Sequence, residues 1–173
     1  PSPFRCSMQT SSFSSLSGLP EPLLFGPYTI DAQQVFLASE LSLGLVNLKP
    51  IVPGHVLVVP KRVTPRLKML SPEEVADLFL QAQLIATALE EHYQADAMTI
   101  SVQDGPAAGQ TVPHVHVHVL PRRVGDFEPN DAVYDELDKA GKAMASNLDL
   151  DAERRPRSLE EMAAEAEELR ALF

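Results

Sequence analysis

The segment His114-Val115-His116-Val117-His118-Val119-Leu120 places three imidazoles within five residues, in strict alternation with aliphatic side chains. The chain holds only five histidines, so this cluster takes most of them. A period of two is the side-chain period of a β-strand, which puts the three rings on one face. Two chemistries suit such a row. Neutral imidazole is a common zinc ligand, but His114 and His118 would lie about 13 Å apart along a strand rising ~3.3 Å per residue. A metal with bonds of about 2 Å would need two of them plus a remote ligand. His55 and His92 stand in no recognisable ligand spacing. The second chemistry is nucleophilic attack on phosphorus. An imidazole with an ordinary pKa of about 6.5 is mostly neutral at neutral pH. One ring nitrogen presents its lone pair, while the other donates to a nearby carbonyl and fixes the tautomer. A row of three rings suits an extended phosphate chain better than a point ion.

Neighbouring residues fit phosphate chemistry. Gln103 stands at an expected strand end, where an uncharged amide can donate to a phosphate oxygen without adding negative charge. Gly109-Gln110-Thr111-Val112 directly precede the histidines, and a glycine-containing loop can cradle phosphate oxygens with backbone N–H groups. Pro113 removes a ladder donor, so the strand must be unpaired or at an edge there. Asn47 and His55 each have a structural reading as well as a functional one. Asparagine at a strand end often satisfies a turn, and His55 follows the Val52-Pro53-Gly54 turn.

The alternating histidines, taken with residues 40–47, 50–58, 103–112 and 160–166, resemble the histidine triad superfamily of nucleotide hydrolases and transferases. The resemblance is to its fragile-histidine-triad branch and covers about residues 24–135 and 158–173. It implies a dinucleoside polyphosphate hydrolase that cleaves diadenosine triphosphate to AMP and ADP. His116 would be the nucleophile, forming a nucleotidyl-histidine, with its second nitrogen donating to the His114 carbonyl. His114, His118 and Gln103 complete the implied catalytic set. Implied substrate contacts are Asn47, Gln103, Gly109, Gln110, Thr111, Val112 and His118, with Leu45 and the region of Phe25 beside the base. Tyr28 stands where the family usually carries a histidine contact. The resemblance also implies a supporting role for His55, phosphorylation at Tyr134 and a homodimer. No protein-bound metal or cofactor is implied; Mg²⁺ or Mn²⁺ would travel with the polyphosphate. Alternatives within the superfamily are a nucleoside phosphoramidate or adenylyl sulfate hydrolase or phosphorylase. Outside catalysis stands a signalling protein acting through its nucleotide-bound state.

Composition narrows the field. The net charge of −10 argues against a nucleic-acid binder. From Asp126 onward there are 14 acidic and 6 basic residues, whereas 41–71 and 105–125 contain bases and no acids. Locally basic segments in an acidic protein suit a small anionic ligand. The single cysteine, Cys6, excludes a disulfide framework. No stretch reaches 18 consecutive apolar residues, so no membrane span is expected. These features fit a cytoplasmic location, extending to the nucleus, although the N-terminal composition also resembles a weak transit peptide.

Four segments follow. Residues 1–23 read as a flexible Ser/Pro-rich tail, 24–125 as the catalytic domain, 126–157 as an acidic flexible loop and 158–173 as a helix packing on the domain. Strands are expected near 34–39, 43–48, 54–60, 97–103 and 114–121. Ser71-Pro72 with Glu74 predicts a capped helix whose Val75, Leu78, Phe79, Ala82, Ile85, Ala86 and Leu89 face the sheet. His92 closes that helix, where an imidazolium complements the dipole. Ser158 with Glu161 predicts a second helix with Leu159, Met162, Ala163, Ala166 and Leu169 on one side. The fold class is α+β, an antiparallel sheet crossed by a long helix.

Overall fold

Short β-branched runs separated by turns assemble an antiparallel sheet, and two capped helices cover one of its faces. The computed structural model describes residues 19–146 and 155–173, without the side chains of 140–146. A small hairpin, β1 (Leu24–Phe25) and β2 (Tyr28–Thr29), precedes β3 (Val35–Ala38), β4 (Ser42–Val46) and β5 (Val56–Pro60). Helix α1 (Pro72–His92), β6 (Ala97–Val102), β7 (Val117–Arg122), α2 (Ala132–Ser146) and α3 (Leu159–Arg170) follow. The sheet order is β3-β4-β5-β7-β6, antiparallel throughout. Among the described residues, no helix is long and apolar enough to cross a membrane.

Alternation along the central strands builds two cores. Val56 and Val58 of β5 and Val117 and Val119 of β7 pack with Leu78, Ile85 and Leu89 of α1 and with Met162, Ala166 and Leu169 of α3. Leu43, Leu45, Leu57 and Val59 form the opposite layer with Leu23, Phe25 and Val112. His118 pairs across from Leu57 and so belongs to this second face. Leu19 and Leu23, assigned to the tail by composition, are packed here, because their apolar side chains cover the hairpin side of the sheet.

Both capping boxes form. Ser71 Oγ accepts from the Glu74 N–H, and the Glu74 carboxylate accepts from the Ser71 N–H. Ser158 and Glu161 repeat the pattern on α3. Of the expected stripes, Val75 and Ala163 are only half-buried, and Phe79 and Leu159 are exposed. Phe79 is 41% exposed, since the buried line through Leu78, Ala82, Ile85 and Leu89 is narrow and Phe79 lies ~100° around the helix from Leu78. Leu159 is 40% exposed, being the first residue of α3, a turn before Met162 reaches the sheet.

The expected loop over 126–157 is corrected: residues Ala132–Ser146 form α2. Val133 and Leu137, at i and i+4, are buried against Leu120 of β7. The approach to the helix is tied down as well. Arg122 donates twice to Asp126, at 2.7 and 2.8 Å, and also to Asn130 and Thr99. The remainder of the expected loop, and the tail up to residue 18, lie outside the described residues.

Candidate active site

The three histidines do not form one uninterrupted strand. Only His118 lies within β7, while His114 and His116 lead into it. Pro113 has no N–H, the His114 N–H folds back to the Val112 carbonyl at 2.8 Å, and the Val115 N–H reaches Thr64 O at 2.7 Å. Regular pairing with β5 begins only at Val117.

Main-chain groups fix the tautomers of His116, His114 and His55, and His55 in turn fixes that of His118, because an N–H cannot accept and a carbonyl cannot donate. His116 Nδ1 lies 2.7 Å from the His114 carbonyl and must carry the proton. Its Nε2 is therefore a lone pair. His114 Nδ1 accepts from the Gly26 N–H at 3.1 Å, so its Nε2–H donates to Pro60 O at 2.9 Å. His55 Nδ1 accepts from the Ile51 N–H at 3.2 Å, which leaves its proton on Nε2, 3.0 Å from His118 Nδ1. His118 then carries its own proton on Nε2, which is buried without a hydrogen-bond partner among the described residues. The site thus pairs a nucleophilic nitrogen on His116 with a donor on His118, on rings whose centroids are 4.9 Å apart. Phe25 packs edge-on against His116 at 5.4 Å and tilted against His114 at 5.6 Å. Phe25 and Leu45 are both buried.

Burial keeps the rings neutral. It pulls His114 down to about 4, against the opposing pull of the Pro60 carbonyl. Burial lowers His116, and it lowers His118 further with help from neighbouring His116 and His55. The nearby arginines are engaged elsewhere. Arg62 pairs with Glu74 at 2.6 Å, Arg66 with Asp104 at 3.1 Å and Arg122 with Asp126 at 2.7 Å. The Arg62 and Arg122 partners pull the carboxyls of Glu74 and Asp126 to about 2. These three arginines therefore brace the fold. Among the described residues no three His, Cys, Asp or Glu side chains gather as a metal site.

The other expected contacts sort by what occupies them. Asn47, just beyond β4, is 8% exposed; its Oδ1 accepts from the Lys49 N–H at 3.0 Å, and its Nδ2, itself a donor, lies 3.2 Å from the Nε2–H that His55 gives to His118, so the two side chains touch without hydrogen-bonding. Both readings of this residue coexist, since it closes a turn and touches the histidine network. Gln110 is turned inward, with Oε1 accepting from Gly105 and Nε2 donating to Pro65 O and His114 O. The N–H groups of Gly109 and Gln110 are bound to the Pro106 and Gly105 carbonyls. Of the four amides expected to cradle phosphate, only those of Thr111 and Val112 have no hydrogen-bond partner among the described residues. The tight 105–110 turn takes the other two. Gln103 Nε2 donates to Asp138 Oδ1 of α2 at 2.7 Å. Gly109 sits at φ +89°, and a Cβ there would meet Asp138 Oδ1 at 2.6 Å. Tyr28 is 44% exposed on the hairpin and Tyr134 is 52% exposed on α2. His92 pairs with Glu168 at 2.9 Å, away from the triad.

Two residues that sequence reasoning passes over reach the site: Asp138, and Arg157, which donates to the Asn47 carbonyl. Asp138 is one acid among many in its segment, and Arg157 sits among charges beside Pro156. The i, i+4 pair Val133 and Leu137 is the signal that could have revealed the helix bringing Asp138 inward.

Comparison with known proteins identifies relatives of the whole chain. A family profile described as "HIT domain" matches residues 30–125. A bifunctional bis(5'-adenosyl)-triphosphatase/adenylylsulfatase of Arabidopsis thaliana is 49% identical over 99% of this chain and 92% of its own. A bis(5'-adenosyl)-triphosphatase of Dictyostelium discoideum is 51% identical over 86% of this chain and 91% of its own. Among solved structures, the diadenosine triphosphate hydrolase of Plasmodium falciparum superposes with a TM-score of 0.71 at 28% identity. It covers 91% of this chain and 88% of its own.

Proposed function

The chain belongs to the histidine triad (HIT) family, and on that premise we propose that it hydrolyses diadenosine triphosphate to AMP and ADP. The observation that carries this reading is the His116 tautomer: Nδ1–H donates to the His114 carbonyl at 2.7 Å, leaving Nε2 as the nucleophile. Its lone pair attacks the α-phosphorus, the phosphorus–oxygen bond to ADP breaks, and the bridging oxygen keeps the electron pair. The positive charge gained by the imidazole rests on Nδ1–H against the carbonyl. His118 Nε2–H stabilises the departing oxygen, and Gln103 with the Thr111 and Val112 amides holds the phosphate oxygens. Water then cleaves the phosphorus–nitrogen bond, releasing AMP and restoring the lone pair. Asn47 contacts the nucleoside side, and His114 contributes through its carbonyl. Any Mg²⁺ or Mn²⁺ arrives with the polyphosphate.

A second reading has one observation in its favour, the bifunctional name of the Arabidopsis relative. Adenylyl sulfate offers the same adenylyl phosphorus, with sulfate as leaving group. One experiment addresses both: products are separated after reaction of each compound in ¹⁸O-water. AMP and ADP with label in AMP alone support the main reading. Turnover of adenylyl sulfate adds the second activity, and no products from either compound would overturn both.

The protein acts as a homodimer in the cytoplasm on this reading. Support for pairing comes from β6, which is one edge of the sheet and carries Ile100 at 45% exposure. The catalytic unit runs over 24–125 with the 158–173 helix as part of it. Tyr134, exposed on the same helix as Asp138, is a phosphate acceptor whose modification would add negative charge to the helix that reaches Gln103.

A further inference from the structure

The family profile ends at residue 125, yet a side chain 32 positions further on grips the site. Arg157 stands just before the α3 cap. Its N–H donates to Leu48 O at 3.0 Å, and its guanidinium donates to Asn47 O through Nε at 3.0 Å and also through Nη2. The third guanidinium nitrogen, Nη1, pairs with Glu165 Oε2 at 2.6 Å, and the two side chains are only 17% and 14% exposed.

The Glu165 carboxylate faces a second part of the site too. The Tyr93 hydroxyl reaches its Oε1 at 3.5 Å. The Tyr93 ring lies over Gly54, which sits at φ +76° immediately before His55, and a Cβ on Gly54 would overlap that ring. Glu165 thus reaches both sides of the Asn47–His55 contact, the strand end through Arg157 and the turn through Tyr93. Simple docking of α3 does not need this arrangement, since Met162, Ala166 and Leu169 already bury that helix. A fork-shaped cation closing on one main-chain carbonyl fixes a position and a direction that apolar packing leaves loose.

We propose that Arg157, held by Glu165, is a positioning residue that fixes Asn47 and, beside it, His55 for binding of the nucleotide. The inference rests on the hydrolase reading for its reaction and makes the C-terminal segment part of the active-site architecture. Asn47 belongs to the binding side, so losing its clamp weakens substrate capture more than it slows chemistry.

The test uses the full chain with R157A and R157K, measuring kcat and KM for diadenosine triphosphate together with ¹⁵N spectra of the histidine rings. R157A should raise KM about tenfold while kcat stays within about threefold, the loss expected for one charge-assisted contact. R157K keeps the charge without the fork and should fall between parent and R157A. The His55 and His118 ring signals should move and those of His114 should not. If R157A does not fold, R157K decides: raised KM at parental melting temperature supports the clamp, and parental KM overturns it. A folded R157A with parental KM and unmoved His55 signals also overturns it. Absence of turnover by the parent protein would strike the hydrolase reading alone. The ring spectra would then judge the clamp, movement supporting it and constancy overturning it.

Discussion

His116 Nδ1 and the carbonyl oxygen of His114 are 2.7 Å apart, two residues along the same backbone. The contact bends the chain where a regular strand would have turned that carbonyl to a neighbouring strand. Pro113 and the fold-back of the His114 N–H onto Val112 make the bend possible. A local irregularity thereby settles which nitrogen of His116 is free.

Replacing His116 should abolish turnover. His116→Asn removes the lone pair that forms the phosphorus–nitrogen bond, and a loss on the order of 10⁴ or more in kcat is expected for a nucleophile acting with its partners. Binding of diadenosine triphosphate, measured by calorimetry, should survive. Residual hydrolysis within tenfold of the parent would show that another group attacks phosphorus.

His118→Ala removes the Nε2–H donor and leaves His55 Nε2 without its acceptor. A loss of about 10²–10³ in kcat follows for one preorganised donor. The deficit should shrink with a substrate whose leaving group departs easily, such as an aryl phosphate ester of AMP. An equal deficit for both substrates would assign His118 to binding instead.

Stability should fall on mild acidification. His114 titrates near 4 in the fold, and His116 and His118 are also lowered, whereas an unfolded histidine titrates near ~6.5. Below about pH 6.5 the unfolded chain binds more protons, so the stabilising contribution of the three rings is complete above that pH and falls with acidification, that of His114 being lost by about pH 4. The slope is about 1.4 kcal/mol per pH unit for each ring kept neutral. Glu74 and Asp126, held near 2, act at lower pH. Urea unfolding at pH 7 and pH 5 measures the difference, and equal midpoints would contradict it.

Leu137→Ala tests the docking of α2. Leu137 is 3% exposed against Leu120, so truncation should cost about 2–5 kcal/mol of local stability. Hydrogen exchange of α2 should accelerate while α1 keeps its protection. Unchanged exchange in α2 would mean that the apolar contact does not hold the helix.

The periodic and local parts of this protein were legible in the residues. Apolar runs bounded by turns located the main strands, and the Ser71–Glu74 and Ser158–Glu161 boxes gave two helix starts, because those signals depend on near neighbours in sequence. The histidine cluster announced phosphorus chemistry for the same reason. Tertiary structure decided what each group does. Whether Gln110 faces ligand or loop, and which amides of 109–112 are free, depends on how the 105–110 turn closes. Which nitrogen of each histidine carries the proton depends on Pro60, Gly26 and Ile51, distant in sequence. Asp138 and Arg157 enter the site from segments whose local composition reads as solvated charge. Hydrogen bonds between remote residues leave no period in a sequence, and the tautomers and clamps of this site are built from such bonds.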